Sequence, residues 1–594
     1  MLGWKRASAL RSCLCIPPRK LTPTTQLSPA RALHPSAHAK LEEPILNLRP
    51  RAEQLTETFI STQADLPQAP ASPAPNSSST PKETLYSILI ILAALAGIFA
   101  RWWALSKTSL WWDEGYSLWI SQFSLKEIWR GVAADTSPPL YYFLLHGWIH
   151  LFGRSEFALR SMSALFETLS IPIFYLIARR VLQDKLAIAA AMWLYALSAF
   201  QAQYARDARF YAVLCFFALA AVYSLIEFME MRSYVYFAAL ILCLDAGLYI
   251  HNMMLFYLLG IAVLWLVYPA KPNLRRRVLD GLLCALAVFF LFLPWLPNLL
   301  LQRKFVAQYF WVRRPSFRDL AQTINTISGL DNEYLSKFAS HLIHLNLYPV
   351  QGFFLAACLL LLVLCGFAGI AQAIPPSRRK LLALLGFALI PLLLVFSYSR
   401  IARPVYLDRI FIPSSAILPL ILAACFTHQS GKRRMLFDGL GMILLTATAI
   451  SLAGFLWHFQ KENWRGATAR ILAIPPEQRL VVFVTNAGQV LFDYYAAKSP
   501  DTPARPQETA LPEPYNYRDP VLRGLPSFRK FQVMQTLQQA VESANFTEID
   551  VVISHSPLVL DELVRNYLLP KYTQVSDEDF YQLNVVRWKL RASP

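Results

Sequence analysis

Long apolar runs separated by short polar joints fill the chain from residue 84 to residue 457. The first run, Thr84–Ala104, has the roughly 20 residues needed to cross ~30 Å of hydrocarbon. Further runs follow at Arg160–Ala178, Leu186–Tyr204, Phe210–Phe228, Tyr234–Tyr249, Met253–Tyr268, Val278–Leu300, Gly352–Ala373, Leu381–Tyr398, Ile410–Phe426 and Met435–Trp457. Together they predict a polytopic α-helical membrane protein with about 11 spans. A shorter apolar segment, Pro139–Phe152, falls below spanning length. Beyond Trp457 the pattern changes. Leu480–Thr485 and Val551–Ser554 read as buried strands, Phe580–Trp588 as a strand near the end, and Phe531–Ser543 as a helix, which predicts a small α/β domain over residues 458–594.

Charge decides how Pro139–Phe152 lies. If it does not cross, Arg179/Arg180/Lys185, Arg232, Lys271/Arg275/Arg276/Arg277, Arg378/Arg379/Lys380 and Lys432/Arg433/Arg434 all face the cytoplasm, as the positive-inside rule requires. If it crosses, four of these clusters face outward. The segment is therefore read as a helix lying on the outer membrane surface. The first outer loop, residues 105–159, is too long to be structureless. Ser124 and Glu127 have capping-box spacing, and the loop should hold two or three short amphipathic helices. A second outer loop, about 301–351, has a helical stretch near Ser316–Leu330.

Composition agrees. Of 594 residues 55% are hydrophobic and only 16% charged, against about a quarter charged in a soluble chain. The net charge of +18 sits largely in the joints, so it reads as topology and not as nucleic-acid binding. Residues 1–83 are rich in Pro, Ser, Thr and Ala, with no acid before Glu42, and read as a disordered basic tail, a plain cytoplasmic extension in preference to the organelle transit peptide that its Arg- and Ser-rich start also resembles. No cysteine follows Cys425, so residues 458–594 hold neither a disulfide nor a cysteine metal site.

This topology gathers chemistry on one side. Asp113/Glu114, Asp135, Arg206/Asp207/Arg209, His251 and Arg403/Asp408/Arg409 all fall outside. Ionisable groups at the edge of a membrane are functional candidates. Asp113, flanked by Trp111, Trp112 and Tyr116, could act as a general base, with Glu114 raising its pKa by like-charge repulsion. The bland alternative is that one acid caps a surface helix or pairs with Lys107. Asp135 precedes Ser137-Pro138-Pro139-Leu140-Tyr141-Tyr142, where it could otherwise serve only as a helix cap. Arg206 and Arg209 in a tight turn suit bidentate phosphate binding, the alternative being that Arg206 snorkels and Asp207 neutralises Arg209. Arg400, Arg403, Asp408 and Arg409 crowd another short loop and suit an anionic lipid headgroup, or ordinary interfacial anchoring.

These stretches resemble the C-type glycosyltransferase superfamily, in particular the dolichyl-phosphate-mannose protein mannosyltransferase-like group and the bacterial lipid A aminoarabinose transferases. The resemblance rests on Leu110-Trp111-Trp112-Asp113-Glu114, Asp135 to Tyr142, Leu151-Phe152-Gly153 with Glu156 and Arg160, Tyr204 to Tyr211, and Lys461-Glu462-Asn463-Trp464-Arg465, in that order. It covers roughly Leu85 to Arg470. It implies a C-type glycosyltransferase fold and a membrane enzyme that takes a sugar from a polyprenyl-phosphate donor. The acceptor hydroxyl, on a lipid, glycan or protein, would be met on the extracytoplasmic side, with inversion at the anomeric carbon. Asp113 then matches the catalytic acid, with Glu114 beside it. Arg206, Arg209, Arg403 and Arg409 become the candidates for the donor phosphate, and Asp135, Asp207 and Tyr141 support the site. No cofactor is certain. Some relatives use a divalent metal near the positions matching Asp135 and His251. The turn reads Arg-Asp-Ala-Arg where bacterial relatives often have Gln-Glu-Ala-Arg, so the reach of Asp207 is in question. The motif style points to a bacterial inner membrane, with the endoplasmic reticulum as the alternative. The competing function is a transporter or flippase of lipid-linked sugars, whose features would be inverted repeats and broken mid-membrane helices.

Overall fold

The computed structural model describes residues 81–270, 273–309, 312–344, 350–426, 432–475, 477–498, 505–521, 530–556 and 558–592. The tail reading therefore falls outside the described residues, except that Pro81–Glu83 already form the first turn of a helix.

Every apolar run becomes helical. Among the described residues, six helices are long and apolar enough to cross a membrane: Pro81–Trp102, Glu156–Val181, Tyr211–Met231, Gln351–Gln372, Pro375–Ile401 and Arg434–His458. Two more spans are reached only by joining bent pairs, Lys185–Ala196 with Ala199–Ala205 at 51° and Leu274–Phe292 with Leu296–Lys304 at 76°. The count is thus six to eight against the eleven expected. The bends have local causes. Ser198 accepts a hydrogen bond from Gln201 N and starts a new helix, while Pro294 removes a donor from the second break. Tyr234–Ile250, Met254–Val267 and Ile412–Ala423 stay shorter than a full span. Tyr211–Met231 lies at the centre of the bundle and Pro81–Trp102 at its edge, where Ile91, Leu95 and Phe99 face outward. These features mark an integral membrane protein.

The first loop holds three helices, Trp112–Ile120, Leu125–Ala133 and Leu140–Phe152. The capping box forms as expected: Ser124 Oγ accepts from Glu127 N, and Glu127 Oε2 accepts from Ser124 N at 3.0 Å. The second loop holds Phe317–Ile327 and Asn332–Ile343.

Residues 464–592 build a five-stranded sheet of order β2-β1-β3-β5-β4, with β1 Arg479–Phe483, β2 Gln507–Ala510, β3 Glu548–Ile553, β4 Tyr572–Asp579 and β5 Asn584–Leu590. β2, β1 and β3 run parallel, and β5 is antiparallel to both β3 and β4. The expected last strand starts late, because Phe580–Leu583 form the turn of the β4–β5 hairpin. The strand period of two sorts the two faces. Leu480, Val482, Ile549, Val551 and Trp588 pack on the helices of their own domain. Val481, Phe483, Val552 and Val585 join the large core that also holds Leu110, Leu118, Trp119 and Ile120. The domain is thereby pressed onto the Asp113 helix, Trp112–Ile120. Gly115 permits the approach, since a Cβ there would lie 2.8 Å from Leu491 Cδ2.

Candidate active site

Asp113 and Glu114 occupy the first turn of the Asp113 helix, where the exposed N–H groups favour anions. Adjacent residues on a helix point about 100° apart, and the two acids meet opposite surroundings.

Glu114 points inward and is fully buried. Arg160 clamps it with Nε at 2.7 Å and Nη2 at 2.6 Å. Lys461 Nζ lies 2.9 Å away, and Ala208 N donates at 3.0 Å. Burial alone would raise this carboxyl, but Arg160 and Lys461 outweigh it and hold it at about 2. Arg160 also donates to the carbonyls of Leu105, Thr108 and Ser109. Glu114 is thus a structural anchor. It has two cations of its own, so the expected like-charge lift on Asp113 is not found.

Asp113 points to the opposite side and keeps 27% of its side chain exposed, enough to meet a ligand. Its Oδ2 accepts from Arg409 Nη1 at 3.1 Å and lies 3.9 Å from Arg209 Nε. Burial raises the carboxyl; Arg209, Arg409 and His555 prevail and hold it below the usual carboxylate range. Arg209 Nη1 also donates to Asp113 O, Ser117 Oγ and Tyr142 OH. Arg209 Nε and Arg409 Nε are buried without a hydrogen-bond partner.

The turn 206–209 splits its charges. Arg206 lies with its guanidinium over Phe455, 5.2 Å from the ring centre, and donates to Ala104 O. Burial and Arg160 push it down to about 10. Asp207 does not neutralise Arg209; it accepts from Trp111 Nε1 at 2.8 Å and Lys461 Nζ at 3.2 Å, so the shorter side chain reaches its partners. Burial raises its carboxyl. Arg403 is exposed on the loop after Pro375–Ile401. Of the four arginines assigned to phosphate, Arg209 and Arg409 are therefore the two brought onto Asp113.

Asp135 is half-buried in the turn after Leu125–Ala133 and leaves the next helix uncapped. Burial raises its carboxyl although Arg209 pulls the other way. Tyr141 is fully buried, its ring 6.0 Å from that of Phe210 and its hydroxyl without a partner. The His251 ring sits 4.4 Å from that of Phe210, and its Nδ1 accepts from Met253 N. Burial, Arg209 and Arg409 hold it neutral, at about 3. Among the described residues no group of three or more His, Cys, Asp or Glu could hold a metal.

Residues 136–297 match the model of the dolichyl-phosphate-mannose-protein mannosyltransferase family. Apo ArnT from Cupriavidus metallidurans superposes at a TM-score of 0.51 over 85% of this chain and 98% of its own, with 14% identity. The same protein bound to undecaprenyl phosphate gives 0.49 at 14% identity, again over 85% and 98%. The apo oligosaccharyltransferase of Archaeoglobus fulgidus gives 0.48 at 11% identity, over 79% and 70%. No curated protein matches by sequence. The chain has the C-type glycosyltransferase fold.

Within that fold, several site residues lay outside the sequence assignment. Arg160 holds Glu114, and Lys461 holds both Glu114 and Asp207; in the sequence the two cations stand out only as parts of matching stretches. Glu462 accepts from Trp464 Nε1 at 2.6 Å and binds His555 Nε2. His555 follows β3 in the left-handed region, at φ 50°. Its ring is 5.0 Å from that of Trp112. Nothing in the local sequence marks it.

Proposed function

We propose that this protein is a membrane glycosyltransferase that moves a sugar from a polyprenyl-phosphate donor to an acceptor hydroxyl, with inversion and with Asp113 as general base. The observation that carries the reading is the accessible Asp113 carboxylate set against Arg209 and Arg409, whose Nε groups are buried and unmatched. A guanidinium pair suits a phosphate. The acceptor oxygen attacks the anomeric carbon, and the bond from that carbon to the phosphate oxygen breaks. The electron pair leaves with the polyprenyl phosphate, whose growing charge the two arginines stabilise. The acceptor proton passes to Asp113. The family-model match and the shared fold support this class of donor. Asp135 and Tyr141 would support the site from the Asp113 side, and no step requires a metal. The acceptor is to be sought among lipids, glycans and proteins outside the membrane, the bacterial inner membrane being the favoured location.

The two bent helix pairs are a feature shared with transporters. The charged cluster nevertheless sits at helix ends and not at the bends, which favours chemistry. Purified protein in proteoliposomes, given a panel of radiolabelled polyprenyl-phosphate sugars, separates the readings. An enzyme moves label from lipid to acceptor; a flippase moves the intact lipid across the bilayer. Translocation of intact donor without transfer would overturn the proposal.

A further inference from the structure

The Asp113 carboxylate and an incoming phosphate would use the same guanidiniums. A single carboxylate oxygen, Oδ2, faces both Arg409 Nη1 at 3.1 Å and Arg209 Nε at 3.9 Å. The match is incomplete. Arg209 is 8% exposed, yet its Nε has no partner, and neither has Arg409 Nε. Buried N–H groups left unpaired are costly, so they favour an anion with more oxygens than one carboxylate offers. The surrounding charges leave room for it. Glu114 is spent on Arg160 and Lys461, and Asp207 on Lys461 and Trp111. What faces Asp113 is then Arg209 and Arg409, with His555 from the C-terminal domain and Asp135 from the first loop.

We propose that Asp113 is a stand-in anion, occupying the phosphate seat at Arg209 and Arg409 until the lipid-linked donor displaces it. The inference rests on the glycosyl-transfer reading for its meaning. Donor binding pulls both guanidiniums onto the phosphate and releases the carboxylate. Once released, Asp113 binds a proton more readily, because the cations that suppressed it are engaged elsewhere. The base is therefore armed only when the donor is seated, and binding is ordered, donor before acceptor. Asp113 has the exposure to turn away, and Trp111, 6.0 Å from the Arg409 guanidinium, is placed to report the exchange by fluorescence.

The test needs neither sugar nor acceptor. Binding of undecaprenyl phosphate to the full chain in nanodiscs is compared for wild type, Asp113→Asn and Arg409→Gln. Removing the internal competitor should tighten binding in Asp113→Asn by about tenfold or more, and Arg409→Gln should weaken it. Asp113→Ser guards against misfolding of the first variant and should shift affinity in the same direction. Unchanged or weaker binding by both Asp113 variants overturns the inference, as does absence of binding by wild type and variants alike. Tighter binding without any sugar transfer by the wild type would leave the inference standing and sink the transfer reading. Transfer without tightening would do the reverse.

Discussion

Neutralising Glu114 should damage the fold, while neutralising Asp113, one residue earlier, should damage only chemistry. Glu114→Gln keeps the shape but strips the countercharge from Arg160 and Lys461. Glu114 itself has no exposure, and Arg160 is 1% exposed. A carboxyl held at about 2 instead of its ordinary 4.5 contributes about 3 kcal/mol at neutral pH. Breaking one side of a buried pair typically costs ~3–5 kcal/mol, so the two routes agree. The sign follows from a lowered pKa: the contribution is present above 4.5 and is lost as pH falls towards 2. Thermal unfolding followed by tryptophan fluorescence should show Glu114→Gln melting at least about 3 °C below wild type at pH 7. Asp113→Asn, whose pair is partly solvated, should melt within about 1 °C of wild type. A wild-type melting temperature for Glu114→Gln would refute the assignment of Glu114 as the anchor.

Further outcomes follow from the docked C-terminal domain. Gly115→Val should push Leu491 away and loosen the domain, seen as faster hydrogen exchange over Ala487–Ala496. The contact between His555 and Glu462 should weaken with alkalinity. Burial lowers this imidazole, but Glu462 raises it above its ordinary 6.5, so the stabilisation is complete below that value and is lost as pH rises through the raised one. Exchange near His555, corrected for the intrinsic rate, should be slower at about pH 6 than at about pH 9, and Glu462→Gln should remove the difference. Asp550, buried between Arg479 and Arg587, anchors β3; Asp550→Asn should cost the sheet ~3 kcal/mol, measured by denaturant unfolding.

The helical body was legible because lipid-facing and core-facing residues are both apolar, so each span writes itself as a run. Span counting was harder. A run such as Leu186–Tyr204 hides the turn at Ser198, and Val278–Leu300 hides the 76° bend. In the C-terminal domain β1 and β3 showed through their buried apolar runs. β2, Gln-Glu-Thr-Ala, and β4, mostly exposed, carry no such pattern; backbone pairing places them, with Ala510 and Tyr572 buried at their ends. The grouping of Asp113 with Arg209 and Arg409 was expected from the charge bias of the joints, which assigns these helix ends to one side. The division of labour was not. Asp113 and Glu114 are neighbours in sequence, and only tertiary packing gives one of them Arg160 and the other Arg409. Arg206 and Arg209 likewise share a turn, yet one guanidinium lies over Phe455 and the other against Asp113. His555 lies far along the chain and reaches the site only because the sheet docks there.

The most direct test of the central claim is the rate of sugar transfer from a polyprenyl-phosphate donor by wild type and by Asp113→Asn, with undecaprenyl phosphate binding measured on the same samples. A fall of ~10²-fold or more in transfer, with binding tightened, is the result expected when the general base and the internal competitor are lost together. Equal transfer by the two proteins would contradict the account and remove Asp113 from the chemistry.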